Sequence, residues 1–212
     1  MHATLRVRDL VIASWETSRE SVRNVLPSGL EPTEVDGRLL VSIVAFHVQG
    51  GRLGRVPILP FAQLNVRTYV NWRKEPAVFF VGTRVTMGGV PGRALGAPYR
   101  QARLRVREGR VRAGGLGVSL QFRVAGPADP GPLGRHELGL FENGGLRAFR
   151  IHRGDAHWRR ANVIEPARAD FLVALGFEPR GEPELLYAAH ASFETEVPPQ
   201  RVSLRAEGRK SG

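Results

Sequence analysis

Gly92-Arg93-Ala94-Leu95-Gly96-Ala97-Pro98-Tyr99-Arg100-Gln101-Ala102-Arg103-Leu104-Arg105-Val106 opens as a Gly/Pro-punctuated turn and becomes a strand with strict alternation. Ala102, Leu104 and Val106 fall on one face, and Arg103, Arg105 and Arg107 on the other. Pro98 fixes its own φ and biases Ala97 toward extended geometry, so Tyr99 and Arg100 enter the strand on a defined trajectory. Two polar side chains aimed at a strand mouth suit a binding site. They suit an ordinary hairpin as well. Glu108-Gly109 then turns this strand back onto a second one near Val111.

Outward from this stretch the period-2 pattern recurs. In Phe61 to Val70, Leu64, Val66, Thr68 and Val70 share one face, and Gln63, Asn65, Arg67 and Tyr69 the other. Ala77 to Val85 is an apolar strand containing Arg84, expected on the face of Phe80 and Gly82. Leu39 to Val48 is apolar on both faces, as a central strand is. Residues 4–8, Val118 to Val124, Leu146 to His152 and Leu185 to Glu196 add further strands. Helices are expected after a Thr17–Glu20 capping box, over Arg135 to Phe141, and from Glu165-Pro166 to a stop at Gly176. The pattern is α+β, mainly antiparallel sheet with two or three flanking helices.

At 212 residues, 42% of them hydrophobic, the chain can bury a sizeable core as one domain over 1–204, with 205–212 expected as a disordered tail. No apolar run approaches the about 18 residues of a membrane span, and His2 to Asp9 is too mixed and charged for a signal peptide. There is no cysteine, which excludes disulfides, thiolate metal sites and cysteine nucleophiles. Cytoplasmic residence, no membrane partner and no cofactor are expected. The formal charge is +11, and only Lys74 and Lys210 among 31 basic residues are lysine. Such a balance fits a nucleic-acid binder, but the arginines are spread along the chain instead of gathered in one run. No specific nucleic-acid site is read.

Gly-Arg-x-x-Gly-x-Pro followed by two polar residues and a strand resembles the active-site segment of acetoacetate decarboxylases. Those enzymes carry a Lys-Lys pair after the proline, and its first lysine forms a Schiff base. Here the matching positions are Tyr99 and Arg100. This version is more similar to a YqjF-like family of uncharacterised bacterial proteins within the acetoacetate-decarboxylase-like superfamily. Trp15 through Leu26-Pro27-Ser28-Gly29-Leu30-Glu31, the strand from Phe61 to Val70, and His157-Trp158 resemble further segments of it. The match runs from about Trp15 to Val202. It implies a sheet curled into an open cone or partial barrel, with the strand at 61–70 and the Tyr99 segment facing one interior. Gln63 falls where superfamily decarboxylases carry a catalytic-site glutamate.

The resemblance makes Gln63, Arg67, Tyr69, Arg84, Tyr99 and Arg100 the candidate ligand-binding residues, with Asn65, His157 and Trp158 as further pocket lining. A planar guanidinium suits a carboxylate. A buried Arg67 needs an acidic partner from Glu31, from Glu142 or from a ligand. His152, His157 and His190 match no zinc spacing, and no metal site is read. Neither lysine sits where burial would lower its pKa, so Schiff-base decarboxylation is not expected. Three readings follow: a small-molecule binding protein or enzyme biased toward anionic carboxylates, a non-catalytic structural or interaction protein on the same scaffold, and a basic nucleic-acid-associated protein.

Overall fold

A computed structural model describes residues 1–86 and 99–203. The chain runs β1 (His2–Glu16), α1 (Arg19–Val25), β2 (Glu31–Pro32), β3 (Leu40–Leu53), β4 (Val56–Ile58), β5 (Phe61–Trp72), β6 (Glu75–Val85), β7 (Tyr99–Gln101), β8 (Arg105–Arg107) and β9 (Arg110–Ala113). A 3-10 turn then leads to β10 (Val118–Pro127), α2 (Gly131–Arg135), β11 (Leu138–Glu142), β12 (Leu146–Arg153), β13 (Trp158–Val163), β14 (Arg168–Ala169), α3 (Asp170–Ala174), β15 (Arg180–Glu196) and β16 (Gln200–Arg201).

Strands β1, β3, β5, β6, β11, β12 and β15 pair in that order, and β12–β15 pairing at Ile151↔Thr195 closes them into a ring. All these pairings are antiparallel except β6–β11. The ring is irregular because its strands differ in length and carry bulges. One lies at Asp9, whose φ of 54° shifts β1 so that Val7 and Ile12 both face inward. Beyond the ring, β15 also pairs with β13, from which β10, β9 and β8 continue as a wing.

Alternation then sorts the core. Val11 and Ala13 of β1, Ile43 and Ala45 of β3, and Leu64 and Val66 of β5 point outward. They are covered by Leu120 and Phe122 of the wing and by Phe171 and Leu172 of α3. Inside the ring, Val7, Ile12, Val44, Tyr69, Val78 and Leu133 form a second cluster that plugs one end.

Local readings were revised where long-range pairing outweighed them. The Gly92–Pro98 turn lies outside the described residues, and so does the tail from 204. Downstream, the single strand expected over 99–107 is two. Tyr99–Gln101 pairs in parallel with β6, and Arg105–Arg107 forms a hairpin with β9. The expected faces are kept: Leu104 and Val106 are buried, and Arg103, Arg105 and Arg107 are exposed. The N-cap of α1 is Ser18, whose Oγ accepts from the Ser21 amide at 3.1 Å, and not Thr17. The helix expected over 135–141 lies at Gly131–Arg135 instead, while Leu138 and Leu140 enter a strand and bury against Leu146 and Ala148. Glu165-Pro166 opens no helix, because Arg168–Ala169 first pairs with β10 and α3 begins only at Asp170. No helix among the described residues is long and apolar enough to cross a membrane.

Candidate functional site

The ring encloses a cavity of about 390 Å³, lined mainly by apolar side chains. One wall carries polar groups from three adjacent strands. Gln63 and Asn65 of β5 point inward, and Gln63 Nε2 donates to Asn65 Oδ1 at 3.0 Å. Thr83 of β6 sits opposite Asn65, and Tyr99 of β7 sits opposite Thr83. Burial raises the Tyr99 phenol above its ordinary pKa, so at neutral pH it is a hydrogen-bond donor.

Arg67 lies on the same inward face and is 2% exposed. Its Nη2 donates to the Leu133 carbonyl at 2.6 Å and to Tyr69 Oη at 3.5 Å. Tyr69 is held in turn by the Ser42 hydroxyl at 2.8 Å, which meets Ser14 Oγ at 2.7 Å. This buried chain orients the guanidinium from beneath. Arg67 Nε has no hydrogen-bond partner among the described residues.

Across the cavity stands Arg153, at the end of β12 on the face of Phe149 and Ile151. Its Nε and Nη1 are buried without hydrogen-bond partners among the described residues, and its guanidinium lies 5.9 Å from the Phe193 ring centroid. Burial first, and then the charge of Arg67, pull its pKa down to about 9, so it is still a cation at neutral pH. Neither arginine has a carboxylate within ion-pair distance among the described residues. The expected protein partners lie elsewhere. Glu31 meets Arg23 at the surface at 3.6 Å, and Glu142 is exposed.

His136 stacks against Tyr69 with ring centroids 5.1 Å apart and donates from Nδ1 to the Pro132 carbonyl. Burial, followed by the charge of Arg67, holds its pKa at about 4. It is a neutral packing group below the cavity.

Gln63, Asn65, Arg67 and Tyr99 therefore line one cavity, and the other candidates do not. Tyr69 lies below it in the plug. Arg84 is on the opposite face of its sheet. Pairing runs Val66↔Gly82 and then Arg67↔Phe80, so Val81 is the extra residue of a bulge. Phe80, Thr83 and Val85 consequently face the cavity, whereas Arg84 turns out over the Phe171 ring at 4.7 Å. Arg100 pairs with Arg84 in register and is exposed. His157 is exposed in a loop, and Trp158 is half-buried at the edge of the plug. Sequence reading missed Arg153; its only signal was a period-2 face shared with Phe149 and Ile151. Among the described residues no group of three or more His, Cys, Asp or Glu is placed to hold a metal ion.

Comparison with known proteins agrees with this architecture. Residues 4–191 match the family model DUF2071, described as an uncharacterized conserved protein. Uncharacterized protein YqjF of Bacillus subtilis (strain 168) is 30% identical over 76 residues, 34% of this chain and 31% of that protein, so the match spans about a third of the relative's length. Acetoacetate decarboxylase from Legionella pneumophila superposes with a TM-score of 0.66 at 11% identity, covering 96% of this chain and 88% of that one. The enduracididine biosynthesis enzyme MppR, complexed with pyruvate, superposes with a TM-score of 0.58 at 13% identity over 93% of this chain and 89% of that one. The fold is that of the acetoacetate decarboxylase-like enzymes, and the chain belongs to the DUF2071 family.

Proposed function

We propose that this protein binds a small carboxylate-bearing molecule inside the ring, with the carboxylate held between Arg67 and Arg153. The observation that carries the reading is a pair of guanidiniums, Arg67 buried and Arg153 half-buried with its Nε and Nη1 shielded from water, that face one cavity with no carboxylate within ion-pair distance among the described residues. Leaving a buried charge uncompensated is destabilising by about 3–5 kcal/mol, and a ligand carboxylate relieves it with charge-assisted hydrogen bonds. A scaffold that had lost its ligand would gain stability by replacing both cations and filling the space, so the non-catalytic interaction reading has less support. The pyruvate-bound relative accommodates a carboxylate within a similar fold.

The reading does not include Schiff-base decarboxylation. Lys74 is exposed in the turn between β5 and β6, among Arg73 and Glu75, where nothing desolvates its amine. Among the described lining residues the hydroxyls are those of Thr83, Tyr99 and Thr195, which suit orientation of a bound acid more than nucleophilic attack. Isothermal titration with a panel of small carboxylates tests the proposal. Saturable binding lost in Arg153→Met supports it, and heats that are unaffected by either arginine substitution overturn it. Borohydride reduction with acetoacetate or pyruvate, followed by intact mass, should leave the protein unmodified.

A further inference from the structure

Resting on the carboxylate reading, we infer that the ligand is an amphipathic monocarboxylate: one charged head on Arg67 and Arg153, and an apolar body running through the ring to its mouth. Polarity in the cavity is segregated. Among the described lining residues the only cations are these two arginines. Six of the ten phenylalanines, Phe46, Phe61, Phe80, Phe141, Phe149 and Phe193, line the remaining space.

The phenylalanine rings are fixed against one another. Phe46 and Phe193 meet edge to face at 5.7 Å, and Phe149 contacts Phe80 at 5.6 Å and Phe141 at 5.8 Å. Gly139 makes this arrangement possible, since a Cβ there would lie 2.6 Å from the Phe149 ring and 2.9 Å from that of Phe80. The apolar wall continues to the rim, where the hairpin joining β3 and β4 contributes Leu53, Val56 and Ile58, followed by Leu59. Val56 and Leu59 are each 62% exposed, an apolar lip on an apolar channel.

The volume of about 390 Å³ holds about thirteen water-sized groups, far more than a two- or three-carbon acid fills. A second carboxylate on the far end of a ligand would find no cation among the described lining residues there. It would lie against phenylalanine or meet Glu196, the single acidic residue among the described lining residues. Size and charge thus both favour a single anionic end with a hydrocarbon or aromatic body.

The experiment is calorimetric titration of the full chain with acetate, butyrate, hexanoate and octanoate, alongside suberate and octanol. Affinity should rise about fourfold per added methylene. Suberate should bind at least about tenfold more weakly than octanoate, because its second charge is desolvated without a partner. Leu59→Asp, on the exposed lip, should weaken octanoate several-fold and leave butyrate within about twofold. Equal binding of acetate and octanoate, or suberate equal to octanoate, would overturn the amphipathic reading while leaving the carboxylate site standing. Octanol matching octanoate, or no acid binding at any length, would overturn the carboxylate site and this inference together.

Discussion

Arginine occurs in two settings in this molecule, and they differ in what surrounds the charge. On the wing, Arg105 faces Arg112 and Arg107 faces Arg110 across the β8–β9 hairpin. Like charges directly opposed destabilise a hairpin, but Arg105, Arg107 and Arg112 are exposed and Arg110 is tied to Gln121 Oε1 at 2.8 Å. Water and salt screen the repulsion over about 8 Å. In the ring, Arg67 and Arg153 face a cavity walled by phenylalanine, where the charge is screened less than in water. Composition counts all of these residues alike. What differs is the surroundings: an open, solvated face on the wing and an apolar-walled cavity in the ring.

The strongest break of this comparison is the double variant Arg67→Met/Arg153→Met. Truncating buried, hydrogen-bonded charge partners weakens binding by about 2–5 kcal/mol, so carboxylate affinity should fall on the order of 100-fold or more. The matching wing variant Arg105→Met/Arg112→Met should leave that affinity unchanged, and calorimetry on both reads the difference.

The pH dependence of stability should expose the buried environment next. With a pKa near 4 in the folded protein and 6.5 when unfolded, His136 binds its proton more readily in the unfolded chain. Its contribution is therefore present above pH about 6.5 and is lost as pH falls toward about 4, on the order of 3 kcal/mol in all. Urea unfolding of the ligand-free protein across that window should show the fall, and His136→Phe should remove this share of it.

Smaller but opposite in sign is the effect of Arg153→Met on the ligand-free protein. Replacing an unpaired buried charge with an apolar side chain of similar volume should raise stability by about 1–4 kcal/mol. Arg105→Met should fall within about 0.5 kcal/mol of the parent. A loss of stability in Arg153→Met would mean that the cation has an acidic partner in the folded chain.

The weakest expected effect belongs to the wing. DNA should bind there, if at all, without sequence preference, and moderate salt should abolish the signal. Fluorescence anisotropy with two unrelated duplexes at rising salt measures it. Sequence-selective binding at physiological salt would show that the exposed ladder carries a function of its own.

Alternation made part of this legible in advance. The inward face of Gln63, Asn65, Arg67 and Tyr69 follows from the two-residue period of a strand, and the buried Leu104 and Val106 follow from the same rule. The family resemblance added that the Tyr99 segment adjoins that face. Arg84 went to the wrong side because a bulge at Val81 inverts the alternation, and a bulge is set by pairing with β5 that the β6 residues alone do not encode.

Facing direction, turn positions, the missing cysteines and the exposed arginine row are properties of short segments, so local chemistry determined them. The expectation that Arg67 would meet Glu31 or Glu142 concerned residues far apart in the chain, and closure of the ring decided otherwise. That closure joins β12 to β15 and brings Arg153 to within electrostatic reach of Arg67, 86 positions earlier in the chain. It also encloses the space between them. A cavity is a property of walls drawn from distant strands, and no window of sequence contains both walls.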